Sequence, residues 1–170
     1  MIKNNNLNPN FVTGFIDAEG CFRVKITRNK KYSIGWQLQP IFQICLHKKD
    51  LALLKLIKSF FGVGNISVNT TMDSAEYYVS SIKDLINVII PHFKFKYPLV
   101  TQKRADFELF KKIVEMLSKK EHLTHAGFQE IVNLRASINN GLSDTLTVAF
   151  PNTKPVPRPL VVDQEIKDPN

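Results

Sequence analysis

A chain of 170 residues with 44% apolar side chains can bury one core of its own, which fits a single domain and excludes a chain too polar to fold. Its net charge of +8 and pI near 9.5 point to a polyanionic partner. No apolar run approaches the roughly 20 residues that span a bilayer, residues 1–10 are polar and Asn-rich rather than a secretory leader, and two cysteines, Cys21 and Cys45, make neither a disulfide framework nor a four-ligand zinc site. The expectation is an intracellular protein with free thiols on strands and no membrane partner.

In chain order, Asn8-Pro9 marks a helix start, since an Asn side chain caps orphan amides and Pro at the first position loses no needed donor. Phe11, Val12, Phe15 and Ile16 follow at helical spacing as far as Gly20. From Cys21 to Asn29 the period becomes two: Phe22, Val24 and Ile26 are apolar, while Arg23, Lys25, Thr27 and Asn29 are polar. Lys30 to Gly35 reads as a turn, and Gln37, Gln39 and Gln43 alternate with Leu38, Phe42 and Ile44 on a second strand. Asp50 to Phe61 is helical, with Leu51, Leu54, Ile57 and Phe61 on one side and lysines on the other. Two short strands come next. Asn65, Ser67, Glu76, Tyr78 and Ser80 form their polar faces, with a turn around Met72 to Ser74. Helices are expected near 82–93, 101–117 and 124–139, the last capped by Thr124. The segment 151–170 holds five of the nine prolines and no periodic pattern, so it reads as an extended linker. The expected organisation is a flexible tail over 1–7, a folded unit over 8–150 and that linker.

The charge is unevenly placed. Residues 20–72 contain nine basic side chains and one acid, Asp50, which accounts for the whole net charge of +8 and leaves the remainder neutral.

Val12-Thr13-Gly14-Phe15-Ile16-Asp17-Ala18-Glu19-Gly20 resembles the nine-residue signature of the LAGLIDADG homing endonucleases: Gly third, apolar fourth and fifth, Asp sixth, small seventh, acid eighth and Gly last. Val and Thr stand where Leu and Ala open that motif. The likeness extends through Tyr97-Pro98-Leu99, Thr101-Gln102-Lys103, Glu121-His122-Leu123 and Gly127-Phe128, and is greatest to the N-terminal repeat of the two-repeat fungal mitochondrial branch, which uses Glu at the eighth position. It implies an α+β half-domain, αββαββα, with a curved antiparallel four-stranded DNA-binding sheet and extra C-terminal helices. The implied activity is sequence-specific, metal-dependent hydrolysis of double-stranded DNA, giving staggered ends. The other reading is an intron RNA maturase or a non-cleaving DNA-binding protein.

The residues themselves carry part of this logic. Gly14 and Ala18 lie four apart on one helix face, so a second helix could approach at nearly backbone distance. Glu19 sits where helix yields to basic strand, a position that suits a hard divalent cation. Taken alone, Glu19 would pair with Arg23 or a nearby lysine; the full motif assigns it to Mg²⁺, for which Mn²⁺ or Ca²⁺ can substitute, with the Ala18 carbonyl beside it. Asp17, a quarter turn away, is expected to cap or brace the partner helix, which places Gly14, Asp17 and Ala18 at a repeat interface. Lys96 and Lys103 are the candidate basic residues near the cleaved phosphate. No histidine pair has the spacing of a site.

Base readers are expected at Arg23, Lys25, Thr27, Asn29, Gln37, Gln39, Gln43, Asn65, Ser67, Glu76, Tyr78 and Ser80, and phosphate contacts at Lys30, Lys31, Lys48 and Lys49. Family members are homodimers of one-motif chains or single chains with two motifs. One motif followed by a linker therefore implies a second repeat, on a separate C-terminal chain or by self-association. The ending Asp168-Pro169-Asn170 echoes Asn8-Pro9-Asn10 before the motif, as if a second motif helix were about to begin. Richness in Lys, Asn, Ile and Phe suggests an organelle genome, mitochondrial by the resemblance.

Overall fold

The computed structural model describes residues 7–161. Most of the expected 1–7 tail and the Asp168-Pro169-Asn170 echo lie outside those residues. The first helix, α1 (Pro9–Glu19), begins as its sequence predicts: the Asn8 side chain accepts from the Asn10 amide at 2.8 Å and Pro9 occupies the first turn. Val12 and Ile16 are fully buried against the sheet. Strand β1 (Gly20–Arg28) starts at the next residue. A Cβ on Gly20 would lie 2.7 Å from both the carbonyl oxygen and Cγ2 of Ile16, so only glycine allows so tight a passage from helix to strand.

Strand β2 (Trp36–His47), helix α2 (Leu51–Phe61) and strands β3 (Asn65–Asn69) and β4 (Ser74–Val79) complete an antiparallel sheet of order β1-β2-β4-β3. Its register joins Cys21 to Gln43, Gln43 to Tyr78, and Tyr78 to Asn65, so these four share one row across the outer face. The inner face carries Phe22, Val24, Phe42, Ile44, Ala75, Tyr77 and Val79, all buried. Because side chains alternate strictly, this inner row fixes which residues point outward.

Helix α3 starts at Ile82–Asp84 and continues through π-helical turns at Leu85–Ile89 and His92–Lys96. Pro91 lies between the two π turns and can donate no amide hydrogen, a usual reason for a helix to widen. Helices α4 (Lys103–Ser118), α5 (His125–Arg135) and α6 (Asp144–Ala149) follow, with Thr124 capping α5 through the Gly127 amide at 3.0 Å.

Phe22 is ringed by Phe42, Phe93, Phe107 and Phe110, with centroids 5.3–5.7 Å away, which ties the sheet to α3 and α4. Truncating such a ring typically costs about 3–5 kcal/mol. A smaller cluster of Ile26, Phe128 and Val132, with Trp36, Leu146 and Phe150, seats α5 and α6 against the β1-β2 hairpin.

Residues 151–161 make a turn at 151–152 and then run without helix or strand, yet they do not hang free. Lys154 donates its amide to Asn133 at 2.9 Å, Val156 accepts from Ser137 at 2.5 Å, and the Arg158 guanidinium meets Asp106 at 2.6 Å. The segment is a strap laid from α5 back to the first turn of α4. Among the described residues, no helix is long and apolar enough to cross a membrane.

Candidate active site and nucleic-acid interface

The last turn of a helix leaves carbonyls without intrahelical partners and with partial negative charge. At the end of α1 these carbonyls find a cation. Lys103, the first residue of α4, donates from Nζ to the Ala18 carbonyl at 3.2 Å and to the Gly20 carbonyl at closer range. Glu19 lies between those two residues with its side chain exposed. Among the described residues, neither Arg23 nor any lysine forms an ion pair with it. The structure therefore brings together Ala18, Glu19 and Lys103.

Lys96 goes elsewhere. It is exposed at the end of the second π turn and lines a cavity of about 270 Å³ with Asn10, Thr13, Gly14 and Asp17, alongside the body of α1. At about 1.5 Å rise per residue, Gly14 lies roughly 7.5 Å short of the Glu19 end. Of the two expected lysines, Lys103 is the one that reaches the backbone on either side of Glu19.

Asp17 corrects a second expectation. It is only 7% exposed and spends its oxygens within its own chain, accepting from the amides of Val100 at 2.9 Å and Thr101 at 3.1 Å and from the Thr101 hydroxyl at 2.5 Å. It braces the loop that delivers Lys103 rather than a partner helix. The reason is rotational: Asp17 shares the inward face with Thr13 and Ile16, while Phe11, Gly14 and Ala18 face outward. That outward face is open, for a Cβ on Gly14 would meet nothing within 4 Å and Phe11 is 48% exposed.

Sequence patterning missed the fastening of α1 to α3. The Thr13 hydroxyl lies 2.9 Å from His92 Nε2 and donates to the Tyr97 carbonyl at 3.4 Å. His92 packs among Phe60, Phe61, Phe93 and Tyr97. Burial, reinforced by the Lys96 charge, lowers its pKa from 6.5 to about 4. A lone histidine carries no sequence period, so only the apolar neighbours of residues 89–93 hinted at its burial.

On the outer face of the sheet stand Arg23, Lys25 and Thr27 from β1, Gln37, Gln39 and Gln43 from β2, Glu76 and Tyr78 from β4, and Asn65 and Ser67 from β3, in one continuous register. Asn29 and Ser80 lie just past the strand ends, and the Asn29 amide donates to the Gln37 side chain at 3.1 Å. The same face carries Cys21, Ile41, Cys45, His47, Asn69 and Ser74, which the alternation reaches but their chemistry had not singled out. Lys30 and Lys31 are exposed at the hairpin turn. Lys48 and Lys49 are exposed at the far end of β2, where Lys48 pairs with Asp73 at 2.5 Å. Of the nine basic residues of the charged window, Arg23 and Lys25 stand on this face and Arg28, Lys30, Lys31, Lys48 and Lys49 lie at the strand ends, while Lys55 and Lys58 belong to α2.

A family model described as LAGLIDADG endonuclease matches residues 12–114. The probable intron-encoded endonuclease 2 of Neurospora crassa is 49% identical over 153 residues, which cover 89% of this chain and 34% of that protein. An uncharacterized 50.9 kDa protein in ND4 intron 1 of Podospora anserina is 48% identical over 122 residues, covering 69% of this chain and 26% of its own length. Among solved structures, I-SmaMI bound to an uncleaved DNA target in the presence of calcium ions superposes with a TM-score of 0.89 at 46% identity, over 96% of this chain and 55% of that one. The chain spans about a quarter to a third of these two curated relatives and just over half of the solved structure. With its motif, its antiparallel sheet and its extent of match in agreement, the chain belongs to the LAGLIDADG endonuclease family.

Proposed function

We propose that this chain is one repeat of a sequence-specific endonuclease that cuts double-stranded DNA to staggered ends and shares its active site with a second LAGLIDADG repeat. The observation that carries this reading is the corner formed by Glu19, the Ala18 carbonyl and Lys103, at the head of a polar sheet face framed by basic side chains. A major groove admits a β-ribbon whose alternate side chains reach base edges, and the polar alternation of the outer face suits that use. Arg and Lys suit guanine there, Gln and Asn suit adenine, and the framing lysines meet phosphates.

The Glu19 carboxylate and the Ala18 carbonyl are hard oxygen donors and fit Mg²⁺, with Mn²⁺ or Ca²⁺ as substitutes. The fit is supported by Lys103, whose ammonium already rests on the Ala18 carbonyl. Two donors are half of a site, and among the described residues no three His, Cys, Asp or Glu side chains come close enough to hold a metal ion. A divalent cation bound here supplies Lewis acidity to a water and to the scissile phosphate. Glu19 orients the donor set, the Ala18 carbonyl completes it on this side, and Lys103 offsets negative charge gathering at the phosphate. Asp17 holds the loop that aims Lys103. The missing donors come from a second acid on the paired repeat, docked on the open face of Phe11, Gly14 and Ala18. A carboxylate left unpaired beside a lysine favours cutting over a purely RNA- or DNA-binding role. The intron-encoded relatives support a mitochondrial setting.

Light scattering and Mg²⁺-dependent cleavage of a randomised duplex library test the proposal. The pure monomer makes no double-strand breaks, while the chain supplied with a C-terminal repeat, or forced to self-associate, does. Robust double-strand cutting by a monomer of this chain alone would overturn the shared site.

A further inference from the structure

Strand β1 is an edge of the sheet, and an edge strand exposes carbonyls that want donors. Here those donors come from the end of α5 and the loop after it. Arg135 Nε donates to the Val24 carbonyl at 2.9 Å, and Asn139 Nδ2 donates to the Phe22 carbonyl at 2.9 Å. This raises residues 139–141 beside the outer-face side chains Arg23 and Gln43 and forms one wall of an open cavity of about 590 Å³, which Arg158 of the strap also lines.

The charges around this cavity do not balance. Asp106 is its one acid, and Asp106 is already taken, accepting from Arg158 at 2.6 Å and from the Asn139 amide at 2.9 Å. Among the described residues Arg135 meets no carboxylate: its Nε and Nη1 donate to the carbonyls of Val24, Ile138 and Gly141, and no bond is made from Nη2. Arg23 is exposed at the rim and forms no ion pair among the described residues. Burial above all, with the Arg23 charge adding to it, pulls the Arg135 pKa below the ordinary guanidinium range. Gln43 adds a buried side-chain oxygen without a partner. Turning that amide over would present its NH₂ group, a donor to an anion. Two guanidinium groups with spare donors, an orphaned amide and, among the described residues, no available counter-charge make a receptor for a small oxyanion.

We propose that this cavity seats a phosphodiester group of the bound DNA strand, held by Arg23, Arg135 and Gln43. It rests on the DNA-binding reading above and goes beyond it by moving Arg23 from base reading to backbone anchoring. The pocket opens two residues past Glu19, so a phosphate fixed there sets the strand's position relative to the cutting corner. A phosphate contact carries no sequence information and contributes a fixed increment to salt dependence, about 0.9 in the slope of log K against log salt.

The experiment takes a duplex selected by the full 170-residue chain from a randomised library and replaces its phosphates one at a time with neutral methylphosphonates. Binding is read by fluorescence anisotropy. One or two adjacent replacements should weaken wild-type binding about tenfold and cost Arg23→Gln nothing further. Arg23→Gln should weaken all duplexes alike and lower the salt slope by about 0.9, and Asn140→Asp, which puts a negative charge at the rim without touching the sheet, should act in the same direction. Lys112→Gln, which removes an ion-paired charge far from the sheet face, controls for net charge. If every replacement costs wild type and Arg23→Gln equally, or if Arg23→Gln changes sequence preference with the salt slope intact, the phosphate seat is wrong while DNA binding stands. If the chain binds no duplex at all, the DNA-binding reading and the seat fall together.

Discussion

Single residues set the chemistry through their immediate partners. His92 is held neutral inside the protein, its pKa lowered from 6.5 to about 4, whereas in the unfolded chain it titrates near 6.5. Between those values the unfolded state binds the proton and the folded state does not, so stability rises with pH and is lost as pH falls from 6.5 towards 4. At about 1.4 kcal/mol per unit the loss from this group is at most roughly 3 kcal/mol. Urea midpoints measured across that range should fall for the wild type. They should fall less steeply for His92→Gln, which keeps a polar group opposite Thr13 but cannot titrate. Equal pH slopes in the two proteins would remove His92 from the account. Asp17 shows how far one residue can be read from sequence. Its structural role was legible from its place beside Glu19, but its partners were not, because Val100 and Thr101 lie 83 and 84 residues away and no local pattern links them.

Secondary-structure elements were legible where burial imposes a period. β3 spans the same five residues that the alternation marked, and β1 follows the predicted inward and outward sides throughout, because its inner row has to reach the aromatic core. Where burial is weak the signal fails. α6 is six residues long with no buried side chain, and it was not anticipated. The strap over 151–161 reads as a linker in sequence, since its hold on the body comes from Ser137, Asn133 and Arg158 rather than from an apolar stripe. The choice between Lys96 and Lys103 was out of reach for a related reason. The π turns around Pro91 shift the helical phase that decides where Lys96 points.

The outward face of α1 yields its own prediction at this scale. Glycine in a helix costs about 0.5–1 kcal/mol relative to alanine, and at Gly14 there is space for a side chain. Gly14→Leu should therefore leave the isolated chain as stable as the wild type or slightly more so. It should also abolish assembly with a second repeat, read by light scattering. A variant that assembled normally would show that the helix face is not the docking surface.

At the scale of the whole molecule, the net charge of +8 resides in the window 20–72, which folds into β1, β2, α2 and β3 with their turns. The buried inner row fixes an outward polar row that includes Arg23 and Lys25, with Arg28, Lys30, Lys31, Lys48 and Lys49 at its borders. One acid, one carbonyl and one lysine stand at its head, and an open helix face runs beside them. On the proposed reading, these groups are one side of an active site shared with a second repeat. Single-turnover cleavage of a selected duplex, with the second repeat present and Mg²⁺ saturating, measures this most directly when wild type and Glu19→Gln are compared. The account predicts that Glu19→Gln lowers the cleavage rate by more than about 10³-fold while duplex affinity stays within about threefold. A Glu19→Gln protein that cuts at the wild-type rate would contradict it.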